Sequence, residues 1–223
     1  MAENDNKKAV DTSSRAYKIA AGKGVMNLPN KLTIARMIMI PVFILFFYLN
    51  FAGHYFVALA VFALASFTDL LDGKIARKYN LVTNLGKFLD PIADKVLVSS
   101  ALIVILTQPQ FFNVFLNDWA LIVGGCCVVV IFARELIVSG FRMVAADAGI
   151  VIAADKIGKF KTVTQDIAVI LLLVFGGFYE LYREAIAVRV LNYVGLIMLA
   201  VAAILTIISG INYIVKNIAV LKV

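Results

Sequence analysis

Four aspartates stand close together in a chain that is otherwise poor in acids: Asp69 and Asp72, three apart, then Asp90 and Asp94, four apart. Carboxylates at those spacings share one face of a helix. If two such helices are antiparallel neighbours joined by the segment between them, four negative charges converge on one small volume. They cannot all stay ionised there unless cations lie among them. Donors made only of oxygen suit hard divalent ions, with waters and a substrate's phosphate completing the coordination shell. Two such ions would clamp a phosphoryl group and stabilise both its entering and its leaving oxygen. Ion pairing with Lys74, Arg77, Lys87 or Lys95 is the plainer use of these acids, but it needs fewer of them.

The elements that carry the aspartates are membrane helices. The chain has 223 residues, 62% of them hydrophobic and 16% charged, with a mean hydropathy of +0.95. A soluble domain has about 45–50% apolar and about 25% charged residues, and about 20 apolar residues in a row span a bilayer as helix. The expected fold is therefore all-α: a polytopic membrane protein with six transmembrane helices over about 32–49, 55–77, 85–106, 119–143, 158–178 and 188–213. Residues 1–14 read as a disordered polar tail and 15–223 as one membrane domain. Within the latter, 15–31 reads as a basic amphipathic segment on the membrane surface, ended by Asn27-Leu28-Pro29-Asn30, with Thr33 capping the first span. Residues 1–30 lack the apolar core of a cleavable signal.

Lysine and arginine set the orientation. With the N-terminus inside, the outer loops near 50–54, 107–118 and 179–189 hold only Arg183 and Arg189 of the 21 basic residues. By the positive-inside rule both termini, and with them the aspartates, lie on the cytosolic side. Pro41 is expected to kink the first span, and Pro91 requires a third helix that is just starting there or is bent. Adjacent Cys126 and Cys127 point apart on a helix and read as packing residues. His54, the sole histidine, reads as a solvated or interfacial turn residue, and its solitude argues against imidazole zinc sites.

The spacers between the aspartates complete a pattern. D-x2-D-G-x2-A-R-x8-G-x3-D-x3-D is met at Asp69, Asp72, Gly73, Ala76, Arg77, Gly86, Asp90 and Asp94. This resembles the signature of the CDP-alcohol phosphotransferase family. The resemblance implies a six-helix membrane enzyme, usually a homodimer, that moves a phosphatidyl or related group from a CDP-linked donor onto an alcohol and releases CMP. It implies two divalent cations, magnesium or manganese, held by Asp69, Asp72 and Asp90, with Asp94 a ligand or near-ligand and the general base. Gly73, Ala76, Arg77 and Gly86 would surround the donor's cytidine and pyrophosphate, with Thr33 beside them.

The acceptor has to be read elsewhere. NLPNKLTIAR (27–36), RELIVSGFR (134–142) and GKFKTVTQD (158–166) bring cations to the cytosolic side. With LDPIADKVLV, these stretches are similar to the family's bacterial phosphatidylglycerophosphate synthases, which implies CDP-diacylglycerol as donor and glycerol 3-phosphate as acceptor. Arg134, Arg142, Lys159, Lys161 and Arg36 are the expected acceptor-phosphate residues; topology alone would also place cations here. Membrane lipids are expected partners and nucleic acid is not. Three readings stand beside this one: a sibling acting on phosphatidylglycerol, serine, or inositol or its phosphate; a membrane prenyltransferase, which would leave Gly73, Arg77 and Gly86 unexplained; and a transporter, for which no internal repeat is seen.

Overall fold

In a bilayer no water satisfies the backbone, so apolar runs must bond within themselves as helix. The computed structural model describes residues 28–79, 84–113, 115–147 and 156–217, with side chains except at 70, 72–79, 84–88, 90, 91, 94, 146, 147, 156, 157 and 159. Among them are seven helices and no strand: α1 (Leu28–Tyr48), α2 (His54–Tyr79), α3 (Asn84–Leu106), α4 (Gln110–Asn113), α5 (Trp119–Asp147), α6 (Lys156–Leu181) and α7 (Ile186–Lys216). α1, α5, α6 and α7 are long and apolar enough to cross a membrane, while α2 and α3 carry the shorter apolar stretches His54–Asp69 and Lys95–Leu106. Apolar side chains such as Ile122, Val123, Val129, Leu136 and Ile137 of α5 are exposed, as on a helix facing lipid. The protein is membrane-embedded.

The chain divides into two compact units: residues up to 45 with 60–97, and residues 46–59 with those from 98 on. In the first, α1 buries Ile40 and Phe43, and α2 buries Phe62 and Ala65. The Phe43 and Phe62 rings meet at 6.0 Å between centroids. In the second, α7 packs on α5 and α6, and α4 on α5 and α6. Helix pairs in lipid gain from close packing rather than from leaving water. At Gly195 of α7, accordingly, a Cβ would lie 2.9 Å from Leu172 Cδ2 of α6. Phe47, Tyr55, Phe111, Phe175 and Tyr179 form a run of ring contacts at 5.1–5.7 Å.

Several expectations need correction. The first helix already begins at Leu28, because Pro29 sits in its first turn, where a missing N–H breaks no helical bond. Thr33 is no cap: its hydroxyl donates to the Pro29 carbonyl inside the helix, at 3.1 Å. α3 starts at Asn84, two turns ahead of Pro91, so that proline is not at a helix start. His54 opens α2 and is 7% exposed, its Nε2 paired with Glu180 Oε1 at 2.7 Å. Glu180 Oε2 also accepts the Gly53 N–H at 3.1 Å, across a turn that needs glycine's φ of 84°. Both cysteines are free, and Cys126 is exposed rather than packed. The expected tail and the surface segment through residue 27 lie outside the described residues.

Candidate active site

The buried stripe of α1 changes character along its length. Its later positions are Ile40, Phe43 and Phe47, whereas its first three turns bury Asn30, Thr33 and Arg36, all at 1% exposure or less. A buried guanidinium needs an anion. It finds Asp69: Arg36 Nη1 lies 2.5 Å from Asp69 Oδ1. Asp69 continues the α2 stripe of Ala58, Phe62 and Ala65 at the same three-and-four spacing.

Two contacts set the register of these helices. From Phe43–Phe62 to Arg36–Asp69 is seven residues back along α1 and seven forward along α2, so the helices run antiparallel. One turn further, the same register sets Thr33 level with Asp72. On α3, Asp90 and Asp94 each stand three positions before a buried residue, Ala93 and Leu97. The side chains of Asp72, Gly73, Ala76, Arg77, Gly86, Asp90 and Asp94 lie outside the described ones.

Of the expected metal ligands, then, Asp69 alone has a described side chain, and among the described residues no group of three metal-ligating side chains occurs. What is described fits a hard cation. The Asp69 carboxylate is 36% exposed and gives one oxygen to Arg36, leaving the other for an ion. Asp72 follows three positions on along the same helix.

The second unit gathers cations around one carboxylate. Glu135 Oε1 of α5 pairs closely with Lys161 Nζ of α6 and stands 3.7 Å from Arg134 Nη1. Lys161 is 2% exposed, with Gln165 buried one turn along. Arg134 Nη2 donates to Ser209 Oγ of α7 at 2.7 Å, and its Nε is buried with no hydrogen-bond partner. Arg142 Nε donates to Tyr213 Oη at 3.2 Å, and the guanidinium lies 5.5 Å from that ring's centroid. The structure thus brings Arg134, Arg142 and Lys161 into one cluster; the Lys159 side chain is not described. Counting three cations and one carboxylate, the charge is +2. A phosphate monoester carries about −1.5 to −2 at neutral pH, so the cluster can neutralise one.

The sequence of this chain matches the description of the CDP-alcohol phosphatidyltransferase family over residues 26–208. The chain belongs to that family. It is accordingly a transferase enzyme of phospholipid biosynthesis. It is 41% identical to the CDP-diacylglycerol–glycerol-3-phosphate 3-phosphatidyltransferase of Bacillus subtilis (strain 168) over 210 residues, 89% of this chain and 98% of that one. The Rickettsia typhi protein of the same name is 41% identical over 187 residues, covering 84% and 94% of the two chains. The Haemophilus influenzae one is 38% identical over 192 residues, covering 84% and 91%.

For a phosphatidyltransferase the two units offer different chemistry: carboxylates in the first, cations in the second. Sequence reasoning missed Ser209, Gly210 and Tyr213. Their signal was present, since Ser209-Gly210-Ile211-Asn212-Tyr213 interrupts an otherwise apolar helix. Glu135, the acid beside Arg134, has Lys161 as its nearer partner.

Proposed function

We propose that this enzyme transfers the phosphatidyl group of CDP-diacylglycerol to glycerol 3-phosphate, giving phosphatidylglycerol phosphate and CMP. The observation that carries the reading is its 41% identity to a relative named for that reaction, over 98% of the relative's length. The acceptor's hydroxyl oxygen forms a bond to the phosphatidyl phosphorus while the bond from phosphorus to the CMP oxygen breaks. CMP leaves with that oxygen, and the hydroxyl proton passes to the Asp94 carboxylate. Asp69, Asp72, Asp90 and Asp94 hold two divalent cations, magnesium or manganese. Once bound, these would offset the charge of the pyrophosphate and the developing charge on the leaving oxygen.

Gly73, Ala76, Arg77, Gly86 and Thr33 line the donor's CDP. Arg134, Arg142, Lys159 and Lys161 take the acceptor's phosphate, a role the +2 balance of the second-unit cluster supports. Arg36 was expected with them; its contact with Asp69 favours a role in holding that ligand. Six spans, both termini and the active site on the cytosolic side, a single membrane domain over 15–223 and a homodimer complete the reading, supported by the lysine and arginine distribution and by the family resemblance.

The test is purified protein with CDP-diacylglycerol, glycerol 3-phosphate and magnesium, with and without chelator, following CMP. Release that needs both substrates and stops with chelator is expected. Release with serine, inositol or phosphatidylglycerol but not with glycerol 3-phosphate would point to a sibling acceptor and sink the assignment.

A further inference from the structure

The arginines of the second unit are held in an unusual way for cations inside a membrane helix. Such residues are costly there and tend to pair with acids. Lys161 follows that rule, through Glu135. Arg134 has only a looser share of Glu135, at 3.7 Å, and the hydrogen bonds of Arg134 and Arg142 go to the neutral hydroxyls of Ser209 and Tyr213. A hydroxyl orients a guanidinium without cancelling its charge.

The seat around these hydroxyls is built closely. Ser209 and Tyr213 stand one turn apart on α7, at 0% and 3% exposure. A Cβ at Gly210 would lie 2.9 Å from Arg134 Cγ, so the stem of Arg134 crosses α7 where no side chain stands. A Cβ at Gly158 of α6 would lie 3.7 Å from Ser209 Oγ, so α6 also comes close to the serine there. Tyr213 is steadied by the edge of Phe141, 5.9 Å between centroids. Arg142 then lies over its ring and bonds to its hydroxyl.

Donors are left over. A guanidinium has five N–H groups. The 3.7 Å from Arg134 Nη1 to Glu135 is too long for a hydrogen bond, and Arg134 Nε is buried without a partner. The buried Arg134 Nε–H, on a guanidinium oriented by a hydroxyl, is a donor that an anion can satisfy.

We propose that Ser209, Gly210 and Tyr213 of α7 are positioning residues that aim Arg134 and Arg142 at the acceptor's phosphate. They make α7 a determinant of preference for a phosphorylated alcohol over a neutral one. This rests on the reading of the cluster as the acceptor-phosphate site. All three residues lie beyond residue 208, where the family match ends.

The experiment measures kcat and both KM values, with magnesium and CDP-diacylglycerol, for the full-length enzyme and five variants. Ser209→Ala and Tyr213→Phe each remove one hydrogen bond to a charged group. Each should raise the KM for glycerol 3-phosphate by about tenfold or more, with the KM for CDP-diacylglycerol unmoved and any loss in kcat smaller than the rise. Ser209→Thr, which keeps the hydroxyl, should restore most of the acceptor affinity. Gly210→Ala, which removes no polar group, should raise the same KM by displacing the Arg134 stem. Arg134→Ala separates the two levels of the argument. If it raises the acceptor KM while Ser209→Ala, Tyr213→Phe and Gly210→Ala do not, the positioning role is wrong and the acceptor site stands. If it too leaves that KM unchanged, both are wrong. A joint fall of kcat and both affinities with a lowered melting temperature would mean that α7 serves only packing, which also overturns the proposal.

Discussion

Asp69→Asn should destabilise the protein more than Arg36→Met, although both break the same ion pair. The asymmetry comes from exposure: the Arg36 side chain is at 0% and the Asp69 side chain at 36%. Removing one partner of a fully buried pair costs about 3–5 kcal/mol, because the other charge is left buried and uncompensated. Asp69→Asn takes a charged partner from a buried guanidinium but keeps a carbonyl to accept one of its N–H groups, so about 2–3 kcal/mol is expected. Arg36→Met leaves a carboxylate that water reaches, and methionine fills the space of the stem. The loss should then approach that of an exposed pair, at most about 1 kcal/mol.

For a chain of this size each kcal/mol is about 2–4 °C in Tm. Thermal unfolding in one detergent, followed by circular dichroism, should show a drop of about 4–12 °C for Asp69→Asn and about 2–4 °C or less for Arg36→Met. The double variant should lose less than the two single losses added together, because both changes remove the same ion pair. Equal losses in the single variants, or strict additivity in the double, would refute the pairing argument. The same Arg36→Met protein separates two roles for the arginine. If Arg36 holds Asp69, the magnesium concentration for half-maximal CMP release shifts and the KM for glycerol 3-phosphate stays put. The reverse result returns Arg36 to the acceptor's phosphate.

Three further outcomes are expected. Asp94→Asn should lower turnover by about 10²–10⁴ while CDP-diacylglycerol still binds; near-normal CMP release would remove Asp94 as the base. Gly124→Ala would bring a Cβ within 2.2 Å of the Phe112 ring and should lower stability by about 1–3 kcal/mol. Gly140→Ala on the same helix meets nothing within 4 Å and should be neutral or stabilising by up to about 1 kcal/mol, so matching Tm shifts in the two would contradict the packing. Glu180→Ala removes the partner of both His54 and the Gly53 N–H. It should cost about 1–3 kcal/mol in thermal unfolding without altering either KM.

Much of the helical framework was legible because lipid leaves the backbone one choice: an apolar run of sufficient length must be helix. The expected stretch 55–77 lies within the helix His54–Tyr79, and 85–106 within Asn84–Leu106. The misjudged details are those in which a neighbour decides. Thr33 has the right chemistry for a cap, but Pro29 already stands in the first helical turn, so the hydroxyl turns back to that carbonyl. His54 follows the sharp turn at Gly53 and would be solvated by local rules. Glu180, 126 residues later, draws it inside.

The same distinction between local and distant partners divides the candidate site. That each aspartate pair lies on one helix could be read, because a spacing is fixed by the 3.6-residue turn whatever packs against it. The arginines could only be guessed, because a guanidinium in a membrane helix is equally a topological anchor until its partner is known. Those partners lie 75 and 71 residues away in sequence, at Ser209 and Tyr213. Had they been carboxylates, the arginines would be neutralised, and the cluster would serve helix packing. Because they are hydroxyls, and because Glu135 lies nearer to Lys161 than to Arg134, the proposed site has a surplus of +2 to offer an anion. On the proposal above, serine and tyrosine on α7 leave the half-buried Arg134 and the exposed Arg142 to a substrate rather than to helix packing.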